Sequence, residues 1–414
     1  MSVRRVDAER LELGGGLEVL LQATLASLGP GAAVDVAVAS RSTALELPAW
    51  ARLNGHDVIN SHDGGSARQV VRLRRGPTSR VLAEEIPVSD QRPPLRNGRE
   101  FHSAELRSGG AVPLDAAPET GFTPIGAVAE RGAPSFEWRL NHRDQLWAPE
   151  VADLAEQASG EQWDATCDIP WEAAYGVPDA LERAVAQVMT FIAQNEYAAL
   201  YVPAGFLPHM HPAYVELVMW LSSHVHDEAR HIEVFTKRAL IGGHHAFALA
   251  STELSLHSLL GEHDFTASAM LLNVLGEGTF LDLLRFVERH APDAATATAA
   301  KLAHRDERRH VHFGISHVRH VLAAEPEHRA TLIQAAEQRA AKLTELSGLS
   351  PLFTEGLTIM AAGSLQPGDL ADGAAAVREL IATMERNRIR RLRSAGFNAH
   401  EARHISDLHT PNLM

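Results

Sequence analysis

The sequence predicts a mainly α protein, a four-helix bundle with additional C-terminal helices, preceded by a small α/β domain. Three observations point there. From about residue 178 almost to the end, apolar residues recur at helical spacing. The first 75 residues instead alternate strand-like and helix-like stretches with Gly- and Pro-bearing turns. Within the helical part, Asp227-Glu228-Ala229-Arg230-His231 and Asp306-Glu307-Arg308-Arg309-His310 repeat one pattern, DExRH, 79 positions apart.

In the α/β domain (1–75), alternation over 6–13 predicts a strand, and 17–28 a helix closed by Gly29-Pro30-Gly31. Residues 34–38 read as a strand, and a short helix opens at Pro48 and ends near Gly55. Strands at 58–61 and 70–73 close a hairpin around Asp63-Gly64-Gly65. Residues 76–165, rich in Pro, Gly and Arg, read as an irregular linker or covering segment. The helical domain spans 166–400, with helices at 179–203, 212–240, 246–261, 265–290, 294–323, 327–346, 351–363 and 370–394; residues 401–414 read as a tail. The last long helix closes on Arg388, Arg390, Arg391 and Arg393. That cluster could take an acidic partner, but cations at a helix C-terminus already suit the helix dipole.

Composition narrows the function. The chain has 414 residues, 45% hydrophobic, with a formal net charge of -14, which argues against nucleic acid as partner. Cys167 is the only cysteine, so an intrachain disulfide and a Cys-based metal cluster are excluded, and a reducing, cytoplasmic setting is expected. No signal segment or run of about 18 apolar residues stands out, so no membrane association is expected.

Glu and His three positions apart share a helix face, so each DExRH string can present a carboxylate and an imidazole to one metal ion. Two such pairs plus a lone Glu from each of two further helices form the ligand set of a di-iron or di-manganese carboxylate bundle. Glu196 and Glu277 are the lone candidates, each set in an otherwise apolar helix, where an unpartnered carboxylate is costly. The midpoint of Glu196 and Glu228 is Pro212, and that of Glu277 and Glu307 is Pro292. Hairpins folded there bring each pair of carboxylates to the same height, roughly 22 Å from the bend. His224, His226, His304 and His312 flank the motifs as ligand or proton-relay candidates, although surface or supporting roles are commoner for such residues. Tyr197 and Tyr201, on the first ligand helix, could serve proton or radical transfer; simple packing is the commoner role.

With these residues placed, the segment from about 160 to 323 resembles the ferritin-like di-iron oxygenase superfamily, whose pattern is one Glu, DExRH, one Glu, DExRH. The resemblance implies a ferritin-like bundle with Glu196, Glu228, His231, Glu277, Glu307 and His310 as metal ligands and catalytic centre. It further implies that Asp227 orients His310 and Asp306 orients His231. Two iron ions, or manganese in their place, with O2 as co-substrate, would oxidise a small organic substrate by hydroxylation, N-oxygenation or desaturation. A ferredoxin-type or other electron donor and a homodimer are the expected partners. The N-oxygenases of this group carry an extra His one turn before the last Glu; His304 stands near that place, three residues away rather than four. Residues 1–75 resemble a TusA-like sulfur-carrier fold, with 47–56 the best local match. Gly14-Gly15-Gly16 replaces that family's Cys-Pro, so sulfur transfer is not expected. The rival readings are an iron-storing ferroxidase and a non-enzymatic binding module built on the N-terminal domain.

Overall fold

The computed structural model describes residues 3–64, 68–76, 97–98, 140–141, 145–211, 214–242, 256–344 and 351–409. These fall into two compact units, an N-terminal one and a helical one that begins at Leu140.

The N-terminal unit runs β1 (Arg4–Asp7), α1 (Leu17–Ala26), β2 (Ala33–Val38), α2 (Arg41–Leu53), β3 (Asp57–Asp63) and β4 (Gln69–Arg74). Its sheet has the order β1-β2-β4-β3, with β1 parallel to β2 and the other pairs antiparallel. Leu17, Leu21 and Leu25 of α1 and Leu47 and Ala51 of α2 pack onto Val34, Val36, Val71 and Leu73 of the sheet. Strand β1 is shorter than the alternation predicts, because the chain turns after Asp7 and Gly14 and Gly16 take positive φ ahead of α1. Helix α2 starts seven residues before Pro48, which lies inside it. The Ser40 hydroxyl caps the Thr43 N–H, and the buried face Thr43, Leu47, Ala51 extends the helix upstream. Gly65, in the expected hairpin turn, lies outside the described residues.

The helical unit contains α3 (Val151–Gly160), α4 (Asp179–Phe206), α5 (Val215–Leu240), α6 (Phe265–His290), α7 (Ala294–Ala324), α8 (His328–Thr344), α9 (Pro351–Ala362), α10 (Pro367–Ser394) and α11 (Ala399–His409). Helix α3 lies in the stretch read as irregular; it buries Val151, Leu154, Ala155 and Ala158 and packs against α5. Helix α11 stands where a tail is expected. Gly396, at φ 109°, turns the chain back so that Ala402 and Ile405 enter the core. Of the predicted helix at 246–261, residues 256–260 are helical and 246–255 lie outside the described residues. So does Pro212, whereas the other predicted turn falls at Ala291–Asp293.

Helices α4 and α5 pair, α6 and α7 pair, and α5 packs on α7, which makes the four-helix bundle. Two apolar clusters fill it. One takes Val185, Val188 and Ile192 of α4, Val234 of α5, Leu283 and Leu284 of α6 and Ala299 and Ala303 of α7. The other takes Ala199 and Val202 of α4, Leu271 and Val274 of α6, and Val318 and Leu322 of α7. Glu196, Glu277 and Glu307 occupy the sequence intervals between the two sets, so the carboxylates form a polar layer between apolar ones. Helix α6 is long and apolar enough to cross a membrane by length and composition alone, contrary to the expectation from apolar run length. Yet 83% of its apolar window is buried, as befits a core helix.

Candidate metal centre

The intervening layer gathers all six predicted ligands. Glu196, Glu228, His231 and Glu307 form one group, and His224, Glu228, Glu277 and His310 a second; within each, the potential ligand atoms lie within 4.8 Å of one another. Glu228 belongs to both. Glu228, Glu307, His231 and His310 are each 0% exposed, and Glu196 and Glu277 are 2% and 4% exposed. The Glu228 carboxylate reaches both imidazoles: its Oε2 lies 3.3 Å from His231 Nδ1, and its Oε1 lies 2.8 Å from His310 Nδ1. Glu307 spans them too, at 3.5 Å from each Nδ1.

The far side of each ring meets the opposite motif. His231 Nε2 lies 3.3 Å from Asp306 Oδ2, and His310 Nε2 lies 3.4 Å from Asp227 Oδ2. A carboxylate can only accept, so each Nε2 carries a proton and each Nδ1 faces the layer, where giving up its own proton would present a lone pair to a cation. The aspartates are held in turn by the motif arginines. Arg309 Nη2 donates to Asp227 at 3.0 Å and to Asp306 at 2.7 Å, while Arg230 Nη2 donates to Asp306 at 2.9 Å and also to Asp227. Trp163 Nε1 adds a bond of 2.6 Å to Asp306, and its ring carries the Arg230 guanidinium at 4.7 Å. Two aspartates and two arginines therefore close a neutral ring behind the histidines.

Glu277 depends on a local distortion. Met270–Glu277 winds as a π-helix inside α6, a wider turn often found at functional sites. Asn273 Nδ2 donates to Glu277 Oε2 at 2.6 Å, and His224 Nε2 lies 3.0 Å from Glu277 Oε1 and 3.5 Å from Glu228 Oε1. The His224 ring stacks on His310 with centroids 3.8 Å apart. Close approach of α7 to this turn needs Gly314, since a Cβ there would sit 2.5 Å from the Asn273 Cβ.

So many acids in a dry layer need cations or protons. Burial raises the Glu196 carboxyl well above the usual range, and the Glu228 and Glu307 charges add to this. Burial, then the charges of Glu228 and Glu277, raise Glu307 as well. Glu228 is the exception: burial pushes it up, but His231, His224 and His310 outweigh this and hold it well below the usual value. Burial acts to lower His231 and His310, yet their carboxylate partners raise both well above an ordinary imidazole. Glu196 Oε1 and both Glu307 oxygens are buried without a hydrogen-bond partner, and the close approach of Glu228 Oε1 to His310 Nδ1 lacks hydrogen-bond geometry. Orphaned acceptors of this kind, converging from α4, α5 and α7, fit metal ions. Four glutamates match the charge of two divalent cations, and a carboxylate-rich N/O set suits iron and manganese.

Some candidates are not in the layer. His304 is only half-buried and stands among Arg285 and Arg308, which with burial push its pKa down to about 4. The extra histidine beside the ligands is instead His224, four residues before Glu228 rather than before Glu307. Tyr197 and Tyr201 are 42% and 50% exposed and stack on each other outside the layer. His226 and His312 stand outside both ligand groups. The motif arginines and Asn273 carry roles the sequence reading did not assign; the repeated Arg in DExRH was the available signal.

A small apolar cavity of about 20 Å³, lined by Val202, Phe206, Leu221, Phe265 and Leu272, reaches His224 and Asn273. It admits a water-sized or O2-sized molecule.

No protein family and no curated protein matches the sequence. Among solved structures, the chain is similar to a variant R2-like ligand-binding oxidase with aerobically reconstituted Mn/Fe cofactor, at 17% identity and a TM-score of 0.45, over 59% of this chain and 93% of that one. It is similar to another variant of such an oxidase, with aerobically reconstituted Fe/Fe cofactor, at 17% identity and a TM-score of 0.45, over 61% and 94%. At that distance the roles of the residues rest on the geometry above.

Proposed function

We propose that this protein holds two iron ions, or iron and manganese, in the buried layer and uses O2 to oxidise a small organic substrate. The observation that carries this reading is the pair of ligand groups sharing Glu228, charge-matched to two divalent cations and backed by crossed Asp–His pairs. A bound pair of redox-active metal ions would supply electrons to O2. The chain does the rest. Asp227 and Asp306 hold the Nε2 sides of His310 and His231 so that each Nδ1 faces the layer, and Arg230 and Arg309 pair with those aspartates. Glu228 and Glu307, each between both imidazoles, are placed to bridge. Glu196 with His231 would serve mainly one position, and Glu277 with His310 and His224 mainly the other. Apolar residues Val202, Phe206, Leu221, Phe265 and Leu272 line the cavity beside His224.

The reaction we favour is hydroxylation, N-oxygenation or desaturation. Reducing O2 to water takes more electrons than these oxidations yield, so an external donor of ferredoxin type or another is part of the proposal. The N-terminal unit we read as TusA-like without sulfur-transfer chemistry. Its β-α-β-α-β-β order supports the first part, and Gly14-Gly15-Gly16 ahead of α1 the second.

The test is anaerobic reconstitution with Fe(II), then exposure to O2 while iron content and near-ultraviolet and visible absorption are recorded. Two irons per chain and an O2-dependent spectral change are expected. Fewer than two bound metals, or no O2-dependent change, would overturn the reading. Iron accumulating far beyond two per chain would favour a storage protein instead.

A further inference from the structure

On the outward side of α7, away from the ligand layer, lies a pocket of about 470 Å³ between α6, α7 and α10. That volume is within the range of small-molecule sites. Its lining is unusual for a chain of net charge -14. Arg285, Arg308, Arg319, Arg390 and Arg391 face it against a single carboxylate, Asp282. Arg319 already has the Glu150 carboxylate at 3.6 Å, so with the histidines counted as neutral the other four positive charges and one negative leave the pocket at +3.

Three of these cations lack counter-charges: among the described residues Arg285, Arg308 and Arg390 make no ion pair, and all three are exposed. Arg391 is different, with a side chain only 11% exposed. Its Nη1 lies 3.4 Å from Asp282 Oδ2, while its Nε and Nη2 are buried without a partner. Gly278 makes room for it, because a Cβ there would meet the Arg391 Nε at 2.5 Å. A desolvated guanidinium with two unused donors is costly unless an anion completes it.

The geometry points to a binding site for a small phosphate-bearing organic anion in this pocket. Guanidinium forks match phosphate oxygens in pairs, which a lone carboxylate does not exploit as fully. Leu281, Val311 and Ile315 give the pocket an apolar wall for the organic part, and Asn387 offers an amide. The concave shape suits a small molecule rather than a flat acidic protein surface, and the overall negative charge disfavours nucleic acid. The pocket is distinct from the metal-ligand layer, so its assignment stands whether or not the chain oxidises anything.

The test is isothermal titration of the full-length chain with phenyl phosphate, with pyrophosphate and, as a control, with sulfate, all at matched ionic strength near physiological salt. Phenyl phosphate is expected to bind at one site per chain, more tightly than sulfate. The double variant Arg308→Glu/Arg390→Glu is expected to bind about tenfold or more weakly. Both side chains are exposed, so thermal melting without ligand should be unchanged; if that variant misfolds, Arg308→Gln/Arg390→Gln replaces it. No binding of either phosphate compound, binding no tighter than sulfate, or affinity unaltered in the folded variant would each overturn the site.

Discussion

Asp227 and His310 stand 83 residues apart in the chain, and the aspartate Oδ2 meets the imidazole Nε2 at 3.4 Å. The reciprocal pair, Asp306 with His231, meets at 3.3 Å. Each DExRH string thus orients the imidazole of the other, so neither half of the bundle completes its ligands alone. Replacing Asp227 by Asn keeps the shape but removes the charge that fixes the His310 tautomer. The expected result is a fall in affinity of about 10–100-fold at one metal position, with the fold retained. Metal titration against a competing chelator, with circular dichroism as the folding control, would measure this. Unchanged affinity would show that the aspartate is merely structural.

The motif arginines should matter more for stability than for metal affinity. Arg309, 2% exposed, bridges Asp227 and Asp306, so Arg309→Met leaves two buried carboxylates with one cation. Breaking a buried charge network in this way costs about 3–5 kcal/mol. Arg386→Met, which removes an exposed pair with Glu379, should leave stability nearly unchanged. Urea unfolding of the two variants gives the comparison, and similar midpoints would contradict a neutral buried ring.

What could be read beforehand follows from how local each signal is. Glu196 and Glu277 were visible because a carboxylate interrupts an apolar helical face, and turn positions equidistant from Glu pairs are a matter of counting. The structure brings them into two groups with Glu228, His231, Glu307, His310 and His224. His224 was not separable from His226 or His304, since only the assembled bundle brings it, on α5, to Glu277 on α6. The π-turn of α6 leaves no mark in periodicity, because one wide turn shifts a face without breaking the apolar pattern. Helix α3 was hidden by its surroundings: its small residues, Ala152, Ala155 and Ala158, stand in a stretch otherwise rich in Pro, Gly and Arg.

The metal-free protein should lose stability as pH rises. Glu196, Glu307, His231 and His310 all have folded-state pKa values raised above their ordinary ones. A raised group contributes stability that is fully present below its unfolded pKa, about 4.3 for Glu and 6.5 for His, and is lost as pH climbs through the folded value. Glu228, Asp227 and Asp306 are depressed and act in the opposite sense, losing their contribution as pH falls through the acid range. The melting temperature of the metal-free form should therefore peak in mildly acid buffer and decline toward alkaline pH. Bound Fe(II) or Mn(II) displaces those protons and should flatten the alkaline side. Melting scans from pH 5 to 9, with chelator and with metal, would show this; superimposable curves would exclude it.

His224 makes the two metal positions unequal. It joins Glu277 and His310 on one side, while Glu196 and His231 hold the other. His224→Ala should weaken one position, giving biphasic metal titration with one ion per chain bound tightly and the second about 10–100-fold more weakly. Glu196→Ala should weaken the opposite position, and the two variants should give different Mössbauer signals when loaded with one iron per chain. Identical spectra would mean that His224 does not distinguish the positions.

Gly314 tests whether the π-turn of α6 sets the centre. No side chain fits between α7 and Asn273, for a Cβ at position 314 would stand 2.5 Å from the Asn273 Cβ and 3.4 Å from the Ala269 carbonyl oxygen. Gly314→Ala must push the two helices apart where Asn273 holds Glu277 at 2.6 Å. Overpacking of this kind costs about 1–3 kcal/mol, while alanine's better helix propensity returns about 1 kcal/mol. The net loss of stability should therefore be small, and the larger effect should fall on the metal position served by Glu277. Weakened binding of one of two ions, with a melting temperature lowered by only a few degrees, is the expected pair of results. A variant that binds both ions as tightly as the parent would show that the close approach of α7 does not position Glu277.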